Sequence, residues 1–151
     1  MALAPGDDAP TVTAPNQDNE ELSLAFEDPT VLYFYPRDDT PGCTTEARQF
    51  DLEFETYREA GMSVYGVSTD GVDSHRAFCE AEGLTFDLLA DPDADLASTF
   101  GVDHSGGAAT RTTFVLADGE VQAVYENVVP NGHAREVLED ALADGLVSLP
   151  E

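Results

Sequence analysis

Val31-Leu32-Tyr33-Phe34-Tyr35-Pro36-Arg37-Asp38-Asp39-Thr40-Pro41-Gly42-Cys43-Thr44-Thr45-Glu46 passes from five apolar residues through a proline and a polar loop to a second proline. A continuously apolar run of this length suits a strand covered on both faces. Pro36 ends it. Thr40 is a residue type that caps helices, and Pro41 fits the first helical position. Beyond it, Ala47, Phe50, Phe54 and Tyr57 recur at helical spacing. The pattern predicts a helix over 41–59, with Gly61 just past its end. A buried strand thus feeds a helix whose first turn contains Cys43.

The pattern repeats outward. Residues 62–67 predict a second strand, 72–82 a second helix stopped by Gly83, 86–89 a short strand and 94–100 a short helix. A Gly-rich loop spans 101–110. Strands over 111–116 and 121–126 are joined through Asp118-Gly119, a strong hairpin signal, and a last helix covers 134–142 with Asn131 as its cap. Upstream, 11–13 and 21–24 predict a short hairpin turning near Pro15-Asn16-Gln17-Asp18. Alternating strands and helices imply an α/β fold with parallel strands, and the closing hairpin makes the sheet mixed. This order matches the thioredoxin fold: a mixed central sheet flanked by helices, preceded by an N-terminal β-hairpin. A length of 151 residues, with no linker or repeat, predicts one domain over 1–151.

Acidic residues number 31 and basic residues 6, for a formal net charge of −25, and every basic residue is an arginine. Phosphate-contacting nucleic-acid binding needs a basic surface, which this composition excludes. Self-repulsion on this scale disfavours the compact state in dilute buffer. Near 1 M salt the screening length falls to roughly 3 Å, so the acidity is read as adaptation to a salty cytosol. The composition resembles that of proteins from extreme halophiles. The chain starts without a basic and then apolar export signal, and no apolar run reaches the roughly 20 residues of a membrane span. A cytoplasmic monomer with functional or buried thiols, rather than a structural disulfide, is the expectation.

Cys43 carries the chemistry. Free amide N–H groups and the dipole of a helix start stabilise anions. A free thiol ionises near pH 8.5, and a helix start beside a cation brings that to roughly 3.5–7.5. The residue types suit a thiolate nucleophile, although a cysteine here could equally be packing.

Pro36, Thr40 and Cys43 form P-x-x-x-T-x-x-C, which resembles the peroxiredoxin signature. The fuller text from Tyr33 to Phe50 is similar to the peroxiredoxin Q, or bacterioferritin comigratory protein, subfamily. The similarity continues through Tyr65-Gly66-Val67-Ser68, Ser74-His75, Leu88-Leu89-Ala90-Asp91-Pro92 and Arg111-Thr112-Thr113-Phe114-Val115. The resemblance implies a thiol-dependent peroxidase that reduces hydrogen peroxide and organic hydroperoxides without a cofactor or metal. Cys43 would be the peroxidatic cysteine and pass through a sulfenic acid. Thr40 would position the peroxide, Pro36 would shield the thiolate, and Arg111 would lie against it. Glu46 would help organise the site or merely stabilise the first helical turn. Many relatives place a resolving cysteine five residues after the first, where this chain has Arg48. Cys79, in the next helix, matches a second arrangement. It would form an intramolecular disulfide, recycled by a thioredoxin-like reductant. That role needs an accessible thiol, and the pattern predicts Phe78 and Ala81 facing the core with Cys79 on the flank. The alternatives for Cys79 are an inert thiol, or an enzyme resolved by an outside thiol.

Weaker signals lead elsewhere. His75 and Cys79 have a spacing that metals use, without a second ligand pair. His104 and His133 read as surface residues. Arg37, Arg48 and Arg111 suggest a positive island around Cys43. The rival functions are a redox-sensing thiol module on the same fold and an acidic binding protein with incidental cysteines. The first would consume about one equivalent of peroxide, and the second would be indifferent to loss of Cys43.

Overall fold

The computed structural model describes residues 2–150. Its elements are β1 (Val12–Pro15), β2 (Glu21–Leu24), β3 (Thr30–Phe34), α1 (Pro41–Glu59), β4 (Ser63–Ser68), α2 (Val72–Glu82), β5 (Asp87–Ala90), α3 (Asp95–Phe100), β6 (Thr112–Ala117), β7 (Glu120–Glu126) and α4 (His133–Ala143). Strands β1 and β2 form a separate antiparallel hairpin. The main sheet has the order β5-β4-β3-β6-β7. Strand β3 pairs parallel with β4 and antiparallel with β6. The architecture is therefore the mixed, thioredoxin-like α/β fold expected.

The apolar run becomes the central strand, buried along its whole length. Its side chains alternate between two cores, as the pleat requires. Val31, Tyr33 and Tyr35 join Ala47, Phe50 and Tyr57 of α1, Phe78 and Cys79 of α2 and the apolar side of α4. Leu32 and Phe34 join Phe100 of α3, Phe114 of β6 and Val12 of the hairpin. Tyr33 stacks on Phe50 with ring centroids 4.5 Å apart. Gly66 permits this packing, since a Cβ there would lie 2.8 Å from Tyr33 Cζ. The β6–β7 turn has Asp118 at φ 56 and Gly119 at φ 72, the two left-handed residues of a type I′ turn.

Several local expectations differ. Thr40 occupies the N-cap position of α1 without a side-chain cap; its hydroxyl donates instead to the Arg37 carbonyl at 3.0 Å. Gly132, not Asn131, precedes α4, and Asn131 Oδ1 accepts from Gln49 Nε2 at 2.7 Å. On α2, His75, Phe78 and Cys79 face inward and Ala81 is exposed. Leu84 and Phe86, packed in the same core beyond the helix, fix this rotation. His133 is buried, with its Nε2 bonded to Thr113 Oγ1 at 2.9 Å. No described helix is long and apolar enough to cross a membrane.

Candidate active site

Sheet register assembles the site. Phe34, the last residue of β3, pairs with Thr112, the first of β6. The segment leaving β3 and the segment entering β6 therefore meet at one end of the sheet. The first leads through Asp39, whose φ of 58 reverses the chain, into the turn holding Cys43. The second carries Arg111.

Cys43 is 1% exposed and forms no disulfide. Arg111 donates through Nη2 to Cys43 Sγ at 3.4 Å and through Nη1 to Glu46 Oε1 at 3.0 Å. Cys43 and Glu46 lie one turn apart on the same face, so one planar guanidinium reaches both. A permanently charged donor against the sulfur stabilises negative charge on it. Glu46 is buried; burial raises its carboxyl to about 7, opposed by the charge and hydrogen bond of Arg111. Its Oε2 has no hydrogen-bond partner among the described residues. These contacts remove the alternative of a surface acid in the first helical turn.

Gly42 carried no weight in the sequence, yet a Cβ there would lie 2.6 Å from Arg111 Nη2 and 3.7 Å from Pro130 Cγ. The missing side chain is the space the guanidinium occupies. Pro36 and Thr40 flank the loop leading into α1, both half-buried. Because the Thr40 hydroxyl proton goes to Arg37, its oxygen keeps lone pairs for another donor.

Of the three arginines expected around Cys43, Arg111 lies against its sulfur. Arg37 is exposed, and Arg48 pairs with Glu82 at the end of α2. Cys79 is 9% exposed, more buried than a flank position would be. Burial, followed by the negative field of Asp38, Asp87, Asp18 and Asp51, pushes its thiol up to about 12. His75 points both ring nitrogens at protein acceptors, Asp38 Oδ2 at 2.7 Å and the Leu89 carbonyl at 2.9 Å. It has no nitrogen left to share a metal with Cys79.

The AhpC/TSA family model matches residues 5–124. The chain belongs to this family. Its similarity runs to the peroxiredoxin Q and bacterioferritin comigratory proteins. It is 40% identical over 143 residues to the chloroplastic peroxiredoxin Q of Triticum aestivum, covering 91% of this chain and 66% of that one. Peroxidoxin BcpB of Mycobacterium tuberculosis superposes with a TM-score of 0.86 at 32% identity, over 93% of this chain and 97% of that one. A Xanthomonas campestris bacterioferritin comigratory protein, solved in connection with its alkyl peroxide reduction activity, gives a TM-score of 0.81 at 33% identity over 88% and 91%. Xanthomonas campestris peroxiredoxin Q has also been solved with serine at either of two cysteines, each at a TM-score of 0.84. Those two positions are as far apart in sequence as Cys43 and Cys79. As a member of this family, the chain is a thiol-dependent peroxidase.

Proposed function

We propose that Cys43 is the peroxidatic cysteine and Cys79 its resolving partner. The observation that carries the first assignment is the Arg111 guanidinium, which donates to Cys43 Sγ at 3.4 Å while held by the buried Glu46. The Cys43 thiolate attacks one peroxide oxygen and an S–O bond forms. The O–O bond breaks, and the departing alkoxide or hydroxide leaves as alcohol or water after taking up a proton. Cys43 is oxidised to the sulfenic acid and the peroxide is reduced. Thr40 offers lone pairs to the peroxide O–H, Pro36 limits water around the sulfur, and Arg111 stabilises charge as it moves between the two oxygens. Hydrogen peroxide and alkyl hydroperoxides are the substrates.

Resolution needs movement. A disulfide places Cα atoms roughly 4.4–6.8 Å apart, whereas packed helix axes lie about 8–10 Å apart. Cys43 starts α1, and Cys79 lies near the end of α2, a turn tied to α1 through Glu82 and Arg48. The end of α2, the first turn of α1, or both unwind, and the Cys79 sulfur displaces the sulfenic oxygen as water. The disulfide is then reduced by attack of a thioredoxin-like dithiol. The matching cysteine spacing in Xanthomonas campestris peroxiredoxin Q supports this pairing. The protein works as a cytoplasmic monomer.

Peptide mass spectrometry after one equivalent of peroxide tests the scheme. The wild type is expected to hold an intramolecular Cys43–Cys79 bridge, and Cys79→Ser a Cys43 sulfenic or over-oxidised acid. A wild-type protein with only a stable Cys43 sulfenic acid or intermolecular dimers makes Cys79 inert and the enzyme one-cysteine.

A further inference from the structure

Asp38, in the loop between Pro36 and Thr40, is a buried hydrogen-bonding junction. Its Oδ1 accepts from Tyr35 Oη at 2.6 Å. Its Oδ2 accepts from His75 Nδ1 at 2.7 Å and from Ser74 Oγ at 2.8 Å. Its backbone N–H donates to Asp70 Oδ2 at 2.7 Å, and that oxygen also accepts from Ser68 Oγ at 2.7 Å. His75 has no exposed surface. The Leu89 carbonyl can only accept, so Nε2 donates to it, and Nδ1 lies within hydrogen-bond distance of the Asp38 carboxylate. Burial alone would raise the Asp38 carboxyl, yet the hydrogen bond and charge of His75, with Tyr35 and Ser74, hold it below its ordinary value. Asp38, Asp70 and His75 are close enough to share a cation, but their clustered atoms already serve these bonds.

The junction spans the parts that resolution must separate. One end is the loop that turns into Cys43. The other is the first half of α2, where His75 stands one turn before Cys79 on the same face. Moving this end of α2 away would leave the buried Asp38 carboxylate without its Ser74 and His75 partners, so it resists opening. The far end is held by the solvent-accessible Arg48–Glu82 pair, a weaker restraint.

We propose that His75 is a positioning residue for the peroxidase reaction: through Asp38 it fixes the loop that presents Cys43, and through Leu89 it pins the first half of α2 while the turn bearing Cys79 unwinds. This rests on the Cys43 and Cys79 assignments above. Opening of α2 is thereby confined to its C-terminal half, and the peroxide pocket keeps its shape until the sulfenic acid has formed.

Stopped-flow single turnovers separate the two steps: second-order oxidation of Cys43 and first-order closure of the disulfide. His75→Gln is expected to slow oxidation on the order of ten- to a hundredfold, the scale of an ångström-sized misplacement, while closure stays as fast or becomes faster. Ser74→Ala, which removes one of the two α2 bonds to Asp38, should act in the same direction by about threefold. Arg76→Gln, on the outer face of α2, should change neither step. Equal slowing of both steps in His75→Gln, or no slowing of oxidation, overturns the proposal; if His75→Gln does not fold, Ser74→Ala decides by the same criteria. Oxidation is also measured in a Cys79→Ser background, where the pocket role of His75 stands or falls even if Cys79 resolves nothing. Undiminished oxidation by peroxide in Cys43→Ser would instead overturn the site assignment itself.

Discussion

Cys43 and Cys79 lie in one hydrophobic core, both nearly closed to solvent, and their surroundings are opposite. Cys43 starts a helix, with the Arg111 guanidinium on its sulfur. Cys79 is near the end of a helix, and four aspartates join burial in holding its proton. Burial alone therefore does not set the chemistry. In a chain of net charge −25, the placement of one arginine gives the two sulfurs opposite electrostatic surroundings. On the proposed scheme Cys79 acts only after α2 opens, because burial and the nearby carboxylates hold its proton in the folded helix.

The largest expected effect removes the first member of the pair. Cys43→Ser should lower steady-state peroxide consumption by at least about a thousandfold, as loss of a nucleophile does, while Cys79→Ser keeps the first turnover. Equal residual activity in the two variants, measured with dithiothreitol as donor, would erase the contrast. Next comes the cation. Arg111→Lys retains the charge but loses the fork that holds sulfur and Glu46 together. Oxidation of Cys43 should slow by about 10²–10³-fold, the scale for one transition-state donor. A rate within a few-fold of wild type, followed by stopped-flow fluorescence or quench, would show that charge alone suffices.

Glu46 sharpens the comparison through stability. Its carboxyl titrates at about 7 in the fold against an ordinary 4.5. The folded state thus binds a proton that the unfolded chain releases over this range. The stabilisation is full below pH 4.5 and is lost as pH rises through 7. Relative to Glu46→Gln, the wild type should lose up to about 3 kcal/mol between these limits, read from denaturant melts of both proteins across pH. Parallel pH profiles would place the Glu46 proton elsewhere. The smallest effect belongs to Gly42. In Gly42→Ala the new methyl displaces the flexible end of Arg111, so peroxide oxidation should slow by roughly tenfold with the melting temperature little changed. Unchanged kinetics would mean that the guanidinium moves aside without loss.

Much of this was legible in the chain because its signals are local. Val31 to Tyr35 suits a doubly covered strand, and Pro36, Pro41 and Gly61 punctuate the first unit. Asp118-Gly119 supplied the two left-handed turn residues. Arg111 and Cys43 are 3.4 Å apart, a contact that residue pattern alone does not give and that the peroxiredoxin resemblance supplied. Signals failed where tertiary partners reverse the usual preference of a residue. His133, read as a surface residue, is buried because Thr113 meets it inside, and His75 is buried against Asp38 and Leu89. The rotation of α2, which turns Cys79 in and Ala81 out, depends on the packing of Leu84 and Phe86, beyond the helix itself. Gly42 gave no warning, since its role is the room it leaves for a side chain 69 positions away in sequence. Arg48 is near Cys43 in sequence but is drawn off by Glu82.

The contrast between the two thiols is tested most directly by trapping the first sulfenic acid. The reduced, folded protein is treated with less than one equivalent of hydrogen peroxide in the presence of a sulfenic-acid-specific carbon nucleophile, and the adduct is located by peptide mass spectrometry. The account predicts the adduct on Cys43, with Cys79 either unmodified or bridged to Cys43. An adduct that forms first on Cys79 while Cys43 remains a free thiol would contradict it.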